Sequence, residues 1–208
     1  MLRESVKTYS KRYLCGTVVD LGCGTKQYKS LVEPYVIGHI GIDHKQTLHD
    51  KSNIDIFGTL YHIPVKNNSF DSALCTEVLE HLEEPAKFIQ ECWRILKPNS
   101  AAVFTSPFIW HLHEEPRDFF RYTPHGLKHL FESNGFKVIE ISPLNGFCAT
   151  FGQLFVYYIY TFNVGPLKYV PFIPIAGGFI QHFALLMDKI TPGNSWPSHY
   201  VTVVRRLE

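Results

Sequence analysis

The sequence predicts an α/β fold in which helices cover both faces of a mostly parallel, doubly wound sheet. Apolar runs of strand length alternate along the chain with segments that carry helix boundary signals. A glycine turn follows the first of these runs directly, and such sheets bind ligands at the carboxyl ends of their strands. With 208 residues, 45% of them hydrophobic, the chain can bury the core of one domain. We therefore expect residues 1–208 to form a single domain, with an apolar elaboration at about residues 143–198.

Four strands and a short polar helix are predicted in the first half of the chain. A short polar helix is predicted over 5–14, and the compact apolar run 17–21 ends in the turn Gly22-Cys23-Gly24. The other three strands are predicted over 36–43, 54–57 and 70–75. A helical stretch is expected after the fourth strand, through His81.

Two helices and three strands are predicted in the second half. The helix over 85–96 has a proline near its start and Lys97-Pro98 at its end, as helix boundaries prefer. Thr123-Pro124 begins a further helix that closes at Asn134-Gly135. The strands are predicted over 101–105, 136–141 and 200–204.

The charge and cysteine content exclude several classes of protein. Twenty Lys and Arg residues balance 19 Asp and Glu residues, so no basic excess indicates a nucleic-acid partner. Five cysteines without a C-x-x-C pair argue against a disulfide scaffold or a zinc ribbon. Residues 1–13 are polar and carry no apolar signal segment. We therefore expect a cytoplasmic protein, with contact to a membrane surface as a further option.

The glycine turn is the first candidate ligand site. Glycines at a strand end let the backbone approach a ligand closely, and a helix after the turn would offer free N–H groups. The third glycine of a dinucleotide fingerprint is replaced by Gln27, which disfavours a nicotinamide oxidoreductase. Asp20, before the turn, suits a ligand with an ammonium group, and Asp43 is placed to accept hydrogen bonds from ribose hydroxyls.

Several ordered motifs resemble those of the class I S-adenosylmethionine-dependent methyltransferases, specifically the type 11 group. These motifs are the stretches 18–24, 41–43, 63–71, 75–85 and 91–98, within a similarity that covers residues 16–140. The resemblance implies a Rossmann-like sheet of seven strands whose last strand runs antiparallel. It also implies an enzyme with S-adenosylmethionine as its cofactor.

By this resemblance, four residues would hold the methionine part of the cofactor. Gly22 and Gly24 would approach it closely, and Asp20 would lie near its amino group. Backbone near Thr76 would complete this end of the site.

The adenosine part would be held by residues of the next two strand ends. Asp43 would bind the ribose, and His44 would stack beside the adenine. An Asp-Ala pair that often contacts the adenine in this family is replaced here by Thr59-Leu60.

Histidines are the candidate proton acceptors for methyl transfer to an oxygen. His111 and His113 follow the fifth strand, and they would point the same way if the segment were extended. His81 follows the fourth strand and competes with them, and Asp118 or Glu114 is expected to orient one of the pair. The surrounding pattern H-x-x-P-x-D-x-x-R-Y resembles a subgroup linked with cell-surface glycan or lipid pathways. Internal pinning of this loop by Asp118 and Arg121 is an alternative role for the same pattern.

A divalent-metal site is a second interpretation of the same region. Glu77, Glu80 and His81 would share one face if their stretch were helical. Their E-x-x-E-H pattern resembles the metal site of some O-methyltransferases, but it is also common in this family without a metal. We expect no metal site here.

The elaboration before the last strand is unusually poor in charge. From residue 141 to residue 187 the only charged residue is Lys168, while Gly, Pro, Asn and Gln interrupt the two apolar runs, 147–164 and 169–187. These interruptions disfavour membrane-spanning helices. We expect a helical insertion that covers the active site, forms a homodimer surface or rests on a membrane.

Together these features predict a methyltransferase that O-methylates a small-molecule, glycan or lipid-linked acceptor. The alternative is a non-catalytic S-adenosylmethionine-binding protein that acts through a partner. Transfer of a methyl group to an acceptor would distinguish the two.

Overall fold

The computed structural model describes residues 2–47, 50–165, 172–191, 193 and 195–208. Seven strands form one sheet: β1 Thr17–Leu21, β2 Gly38–Asp43, β3 Ile56–Phe57, β4 Phe70–Thr76, β5 Leu96–Pro107, β6 Phe136–Leu144 and β7 His199–Arg206. Their order is β3-β2-β1-β4-β5-β7-β6. Only β7 runs antiparallel to its neighbours, β5 and β6. The predicted fold class, including the antiparallel last strand, is confirmed.

Six helices accompany the sheet: α1 Leu2–Tyr13, α2 Lys29–Val32, α3 Pro85–Ile95, α4 Pro124–Glu132, α5 Phe147–Tyr160 and α6 Phe172–Ile190. The boundary signals of α3 and α4 act as predicted. Pro85 occupies the first turn of α3, and the Thr123 hydroxyl caps α4 by accepting the Gly126 N–H at 3.0 Å.

Apolar side chains pack on both faces of the sheet, which explains why the strand sequences are continuous apolar runs rather than alternating ones. On one face, Phe104 of β5 packs against Phe131 of α4 with ring centroids 4.7 Å apart. On the other face, Val6 of α1 belongs to a cluster with Val18 and Val203. Burial of each such side chain stabilises the fold by roughly 1.5–3 kcal/mol.

The segment after β4 differs from the prediction. The structure has a single 3₁₀ turn at Leu79–His81 in place of a helical stretch. Glu77 adopts a left-handed conformation with φ 55°, which breaks a helix at its start. Two carbonyls that a helix would use accept other hydrogen bonds. The Tyr122 hydroxyl donates to the Leu79 carbonyl, and the Phe119 N–H donates to the Glu80 carbonyl.

Strand bounds differ at the less periodic ends. β3 is shorter than predicted, whereas β5 reaches back to Leu96 through the turn at Asn99 and forward to Pro107. Asn99 has φ 65°, as suits a turn asparagine.

The insertion before β7 is helical, as predicted, and α5 and α6 form an antiparallel α5–α6 hairpin. Gly152 lets the two helices approach closely, because a Cβ at this position would lie 2.8 Å from the Ala184 Cβ. The Gln181 amide also donates to the Gln153 side-chain oxygen at 2.7 Å. Lys168 lies outside the described residues. None of the helices in the described ranges combines the length and apolar character required to cross a bilayer.

Candidate active site

The turn after β1 requires glycine for steric reasons. Gly22 has φ 71°, and a Cβ there would lie 2.5 Å from Val78 Cγ2. Gly24 is also left-handed, with φ 49°. The turn does not lead directly into a helix, because α2 begins only at Lys29. The helix N-terminus that the sequence predicted is therefore not at the turn. The backbone of the turn itself forms this side of the candidate site.

Two buried carboxylates stand beside the turn. Asp20 lies 3.0 Å from His39 Nε2, a buried ring on the neighbouring strand β2. Asp43 accepts the Gly24 N–H at 2.9 Å with one oxygen and the His44 N–H at 2.7 Å with the other. A turn that lacks side chains at Gly22 and Gly24 and lies between two carboxylates fits a ligand that carries an ammonium group and vicinal hydroxyls, as S-adenosylmethionine does.

A buried lysine beneath the turn is a feature that the sequence did not reveal. The Lys26 ammonium contacts the Asp55 carboxylate and donates to the His39 carbonyl at 3.1 Å. Asp55 also accepts the Gly41 N–H at 2.6 Å. The Lys26 stem occupies the space that a Cβ at Gly41 would need. The only indication in the sequence was Gly41, which lies within the motif 41–43 and whose missing Cβ leaves room for the Lys26 side chain.

The residues predicted for the adenosine end lie around Asp43. The Gly58 N–H donates to the Asp43 carbonyl at 3.0 Å, which brings Thr59 and Leu60 to the end of β2. The His44 ring accepts the Gln46 N–H at 2.9 Å through Nδ1. Its Nε2 lies 3.4 Å from the Arg117 guanidinium.

Thr76 ends β4 opposite Thr105 of β5, and the next residue, Glu77, is fixed at several points. The Thr105 hydroxyl donates to Glu77 Oε1 at 2.7 Å, and the Glu77 N–H donates to the Thr105 carbonyl at 3.2 Å. The other carboxylate oxygen, Oε2, lies 3.0 Å from His199 Nε2. Nothing in the sequence pointed to His199, because it lies more than 120 residues from Glu77 and just before the strand predicted over 200–204.

A cavity of about 520 Å³ lies beyond the ends of β4 and β5, and we call it the strand-end cavity. Its polar side is formed by histidines, carboxylates and amides, and its apolar side comes mostly from β6 and the α5–α6 hairpin. The lining residues are Leu2, Glu77, His81, Trp110, His113, Glu114, Leu144, Asn145, Ala149, Gln153, Tyr157, Gln181, Leu185, Ser198 and His199.

Two of the three predicted catalytic histidines line this cavity. The rings of His81 and His113 pack edge to face with centroids 4.8 Å apart. His111 is not among the lining residues; its ring stacks on Trp110 at 5.3 Å. Residues 110–113 do not form a strand, so the strand alternation behind the expectation that both rings line the pocket does not apply. The two rings nevertheless lie close together, with centroids 6.0 Å apart.

The loop that carries these histidines is pinned internally. The buried Asp118 carboxylate accepts two hydrogen bonds from the Arg121 guanidinium, at 2.5 and 2.7 Å, and one from the His113 N–H at 3.0 Å. The Arg121 hydrogen bonds hold the pKa of Asp118 well below its usual range. The predicted pinning is thus present, and Asp118, rather than Glu114, fixes the backbone of His113.

The predicted grouping of Glu77, Glu80 and His81 does not form. Glu77 turns to Thr105 and His199, whereas Glu80 is fully buried. Burial, reinforced by the nearby Glu77 charge, raises the pKa of Glu80 well above its ordinary value. Among the described residues, the potential ligand atoms of Glu80, His81 and His113 lie within 4.8 Å of one another.

Comparison with known proteins supports the cofactor half of this site. A family model described as a methyltransferase domain matches residues 19–104. The chain is 29% identical over 96 residues to a protein of Mycolicibacterium smegmatis named "Probable S-adenosylmethionine-dependent methyltransferase", covering 43% of this chain and 37% of that protein. It is 28% identical over 116 residues to the ubiquinone biosynthesis O-methyltransferase of Psychrobacter cryohalolentis, covering 50% and 45%. The chain thus spans less than half the length of these curated relatives.

Solved structures share the fold over nearly the whole chain. A methyltransferase dependent on S-adenosylmethionine from Archaeoglobus fulgidus has a TM-score of 0.61 at 18% identity, covering 98% of this chain and 94% of that one. The [4+2]-cyclase SpnF has a TM-score of 0.67 at 18% identity, covering 99% and 80%. At this identity the likeness shows the fold alone. The matched model and these relatives support a methyltransferase domain over residues 19–104 with S-adenosylmethionine as its cofactor.

Proposed function

We propose that the chain transfers a methyl group from S-adenosylmethionine to a hydroxyl of a small-molecule, glycan or lipid-linked acceptor. The observation that carries this proposal is the mixed lining of the strand-end cavity. Leu144, Ala149 and Leu185 give it apolar surface, and His81 and His113 give it polar groups. An acceptor with an apolar body and a hydroxylated end matches this combination.

The chain's residues would serve the reaction by binding, alignment and proton transfer. Asp20, Gly22, Gly24, Asp43 and the backbone at Thr76 would hold the cofactor, whose sulfonium supplies an already activated methyl group. The α5–α6 hairpin would exclude water and align the acceptor oxygen. An imidazole of the strand-end cavity would take the hydroxyl proton, and His113 and His81 are the predicted histidines that line it.

Methyl transfer to an alkyl glycoside tests this function. Purified protein would be incubated with S-adenosylmethionine and dodecyl maltoside, with maltose as the matched acceptor without an apolar chain. Methylated dodecyl maltoside, formed faster than methylated maltose, is the expected product. Binding of S-adenosylhomocysteine without methyl transfer to either compound would instead favour the non-catalytic alternative.

A chelator added to the same assay tests the metal reading. We expect turnover that is insensitive to EDTA, because imidazole and positioning suffice for transfer from a sulfonium. Loss of turnover with EDTA, restored by a divalent cation, would contradict this and point to Glu80, His81 and His113.

We further propose that the outer face of the α5–α6 hairpin contacts a membrane surface, where a lipid-linked acceptor would reside. Phe179 and Phe183, one turn apart on α6, are 74% and 65% exposed, and Tyr158 on α5 is 60% exposed. Aromatic side chains on a face without charge are typical of helices that rest in a bilayer interface. Dimerisation through the same face is the competing outcome.

A further inference from the structure

We propose that His199 is the imidazole that takes the acceptor's proton and that Glu77 is its positioning residue. This inference rests on the proposed O-methyl transfer and assigns a residue to its proton-transfer step. It departs from the sequence-based choice of His113, His111 or His81. The reasons are the carboxylate beside the His199 ring and the rigidity of the elements that hold the two residues.

The surroundings of His199 leave one ring nitrogen available. Its Nε2 lies 3.0 Å from Glu77 Oε2, and its ring packs on Trp110 with centroids 4.8 Å apart. The other nitrogen, Nδ1, has no hydrogen-bond partner among the residues that the structure describes, and the ring lines the strand-end cavity. A proton on Nε2, beside the carboxylate, would leave the lone pair of the neutral ring on Nδ1.

Glu77 is held where a positioning carboxylate is required. Its other oxygen accepts the Thr105 hydroxyl at 2.7 Å, and its backbone is fixed in a left-handed conformation at the end of β4. His199 begins β7 and pairs with Pro107 of β5, and Glu77 directly follows β4 of the same sheet. Groups on such elements keep their geometry better than groups on loops.

His81 and His113 are held differently. His81 Nδ1 lies 2.6 Å from the Arg117 carbonyl, and His113 Nδ1 lies 3.3 Å from the His111 carbonyl, so both rings are tied to the histidine loop, residues 108–123. The carboxylates nearest to His81 Nε2, those of Glu80 and Glu114, are 3.8 Å away. His113 Nδ1 also lies 3.4 Å from Asp118 Oδ2, but both oxygens of that carboxylate already accept hydrogen bonds from the Arg121 guanidinium. Among the described rings that line the cavity, His199 has the shortest contact with a carboxylate, at 3.0 Å.

The chemical step then balances without another reagent. The acceptor oxygen forms a bond to the methyl carbon, the carbon–sulfur bond breaks, and its electron pair stays on sulfur. The hydroxyl proton moves to His199 Nδ1, and the Glu77 carboxylate stabilises the imidazolium that results. Release of this proton to water restores the neutral ring for the next turnover.

The first test needs neither cofactor nor acceptor. Long-range proton–nitrogen NMR spectra of the cofactor-free protein, with the His199 signals assigned by their loss in His199→Asn, report which ring nitrogen carries the proton. We expect the Nε2–H tautomer in the wild type, and a mixed population in Glu77→Gln. An Nδ1–H tautomer in the wild type would overturn the proposal even if methyl transfer occurs.

The second test is turnover against pH with dodecyl maltoside. His199→Asn should lower turnover by roughly 10²–10⁴, remove the acidic limb of the pH profile and leave S-adenosylhomocysteine affinity within about twofold of wild type, since the residue does not touch the cofactor turn. Glu77→Gln should shift that limb, and His129→Gln, an exposed histidine on α4, is the matched control. Four other titratable groups share the cavity, namely His81, His113, Glu114 and Tyr157.

These outcomes distinguish a failure of the His199 assignment from a failure of the proposed O-methyl transfer. Near-native turnover in His199→Asn, or loss of the acidic limb in His113→Asn instead, would overturn the assignment of His199 while leaving O-methyl transfer intact. If the wild type transfers no methyl group to an alkyl glycoside, the acceptor class fails, and the tautomer measurement still decides whether Glu77 positions His199.

Discussion

At the scale of single residues, Asp43 joins the turn to the second strand. Its two oxygens already accept backbone N–H groups, and each has a further lone pair available for a ribose hydroxyl. Asp43→Ala would remove the acceptors of both ribose hydroxyls. We expect affinity for S-adenosylhomocysteine to fall by about 1–3 kcal/mol, measured by calorimetry. Asp50→Ala, an exposed acid in the following loop, is the control, and unchanged affinity in Asp43→Ala would refute the ribose assignment.

Gly22 provides a second prediction, in which a clash and a backbone preference can be separated. Gly22→Ala would place a Cβ against Val78 and would also force alanine to φ 71°. We expect a loss of roughly 1–3 kcal/mol in the free energy of unfolding, with weaker cofactor binding. The double variant Gly22→Ala with Val78→Ala relieves the clash alone. Full recovery in this double variant would show that the left-handed conformation contributes nothing.

The pair of Asp118 and Arg121 predicts a pH dependence of stability. The folded-state pKa of Asp118 is depressed by the Arg121 hydrogen bonds, so the stability it contributes is present above the unfolded pKa of about 3.9. That contribution is lost as the pH falls through the folded pKa. The difference in urea stability between wild type and Asp118→Asn should therefore be constant between pH 7 and pH 5 and should shrink progressively as the pH falls below about 4. A difference that stays constant down to about pH 3 would contradict the charged pair.

The positions of residues were predictable where they depend on neighbours in sequence. Asp20, Gly22 and Asp43 lie where the motifs indicated, because a strand followed by a tight turn fixes their positions locally. The directions of Glu77 and His111 were not predictable. A left-handed backbone at Glu77 and contacts with residues far along the chain decide them, and neither leaves a periodic pattern.

At the scale of elements, the α5–α6 hairpin depends on one acid. Asp188 near the end of α6 accepts the N–H groups of Gly146, Cys148 and Ala149, at 2.7, 2.8 and 3.2 Å. It thereby caps the start of α5 from another helix, in a segment that has almost no other charge. The helical character of the insertion was predictable from its composition, but this cap was not, since its partners lie about 40 residues apart.

Removal of this cap should loosen the hairpin rather than the sheet. Asp188→Ala leaves three N–H groups without their acceptor, and we expect a loss of about 1–2 kcal/mol. Hydrogen exchange should accelerate in α5 and α6 while β1 and β4 stay protected. Lys189→Ala, the exposed neighbour, is the matched control and should leave exchange unchanged. Uniform acceleration across the sheet would show that the hairpin and the sheet unfold as one unit.

At the scale of the whole molecule, the two halves of the chain have different tasks. The matched methyltransferase domain ends at residue 104 and contains the predicted cofactor residues. Most of the strand-end cavity comes from later residues, between Trp110 and His199. The sequence therefore predicted the cofactor, because its motifs lie within the matched domain. The cavity was not predictable in the same way, because its lining comes mostly from loops and the α5–α6 hairpin, which carry none of these motifs.

The outer face of the hairpin gives the last prediction, which concerns how the molecule meets its surroundings. Phe179→Ser with Phe183→Ser removes two exposed aromatic side chains from one face of α6, each worth roughly 1.5–3 kcal/mol when buried in lipid. We expect wild type to sediment with phosphatidylcholine vesicles and to be extracted from them by alkaline carbonate, and the double variant to lose at least tenfold in partitioning. Ile37→Ser, an exposed apolar residue at the opposite edge of the sheet, is the control. A wild-type dimer that the double variant converts to a monomer, with no vesicle binding by either, would contradict lipid contact and assign the face to a second copy.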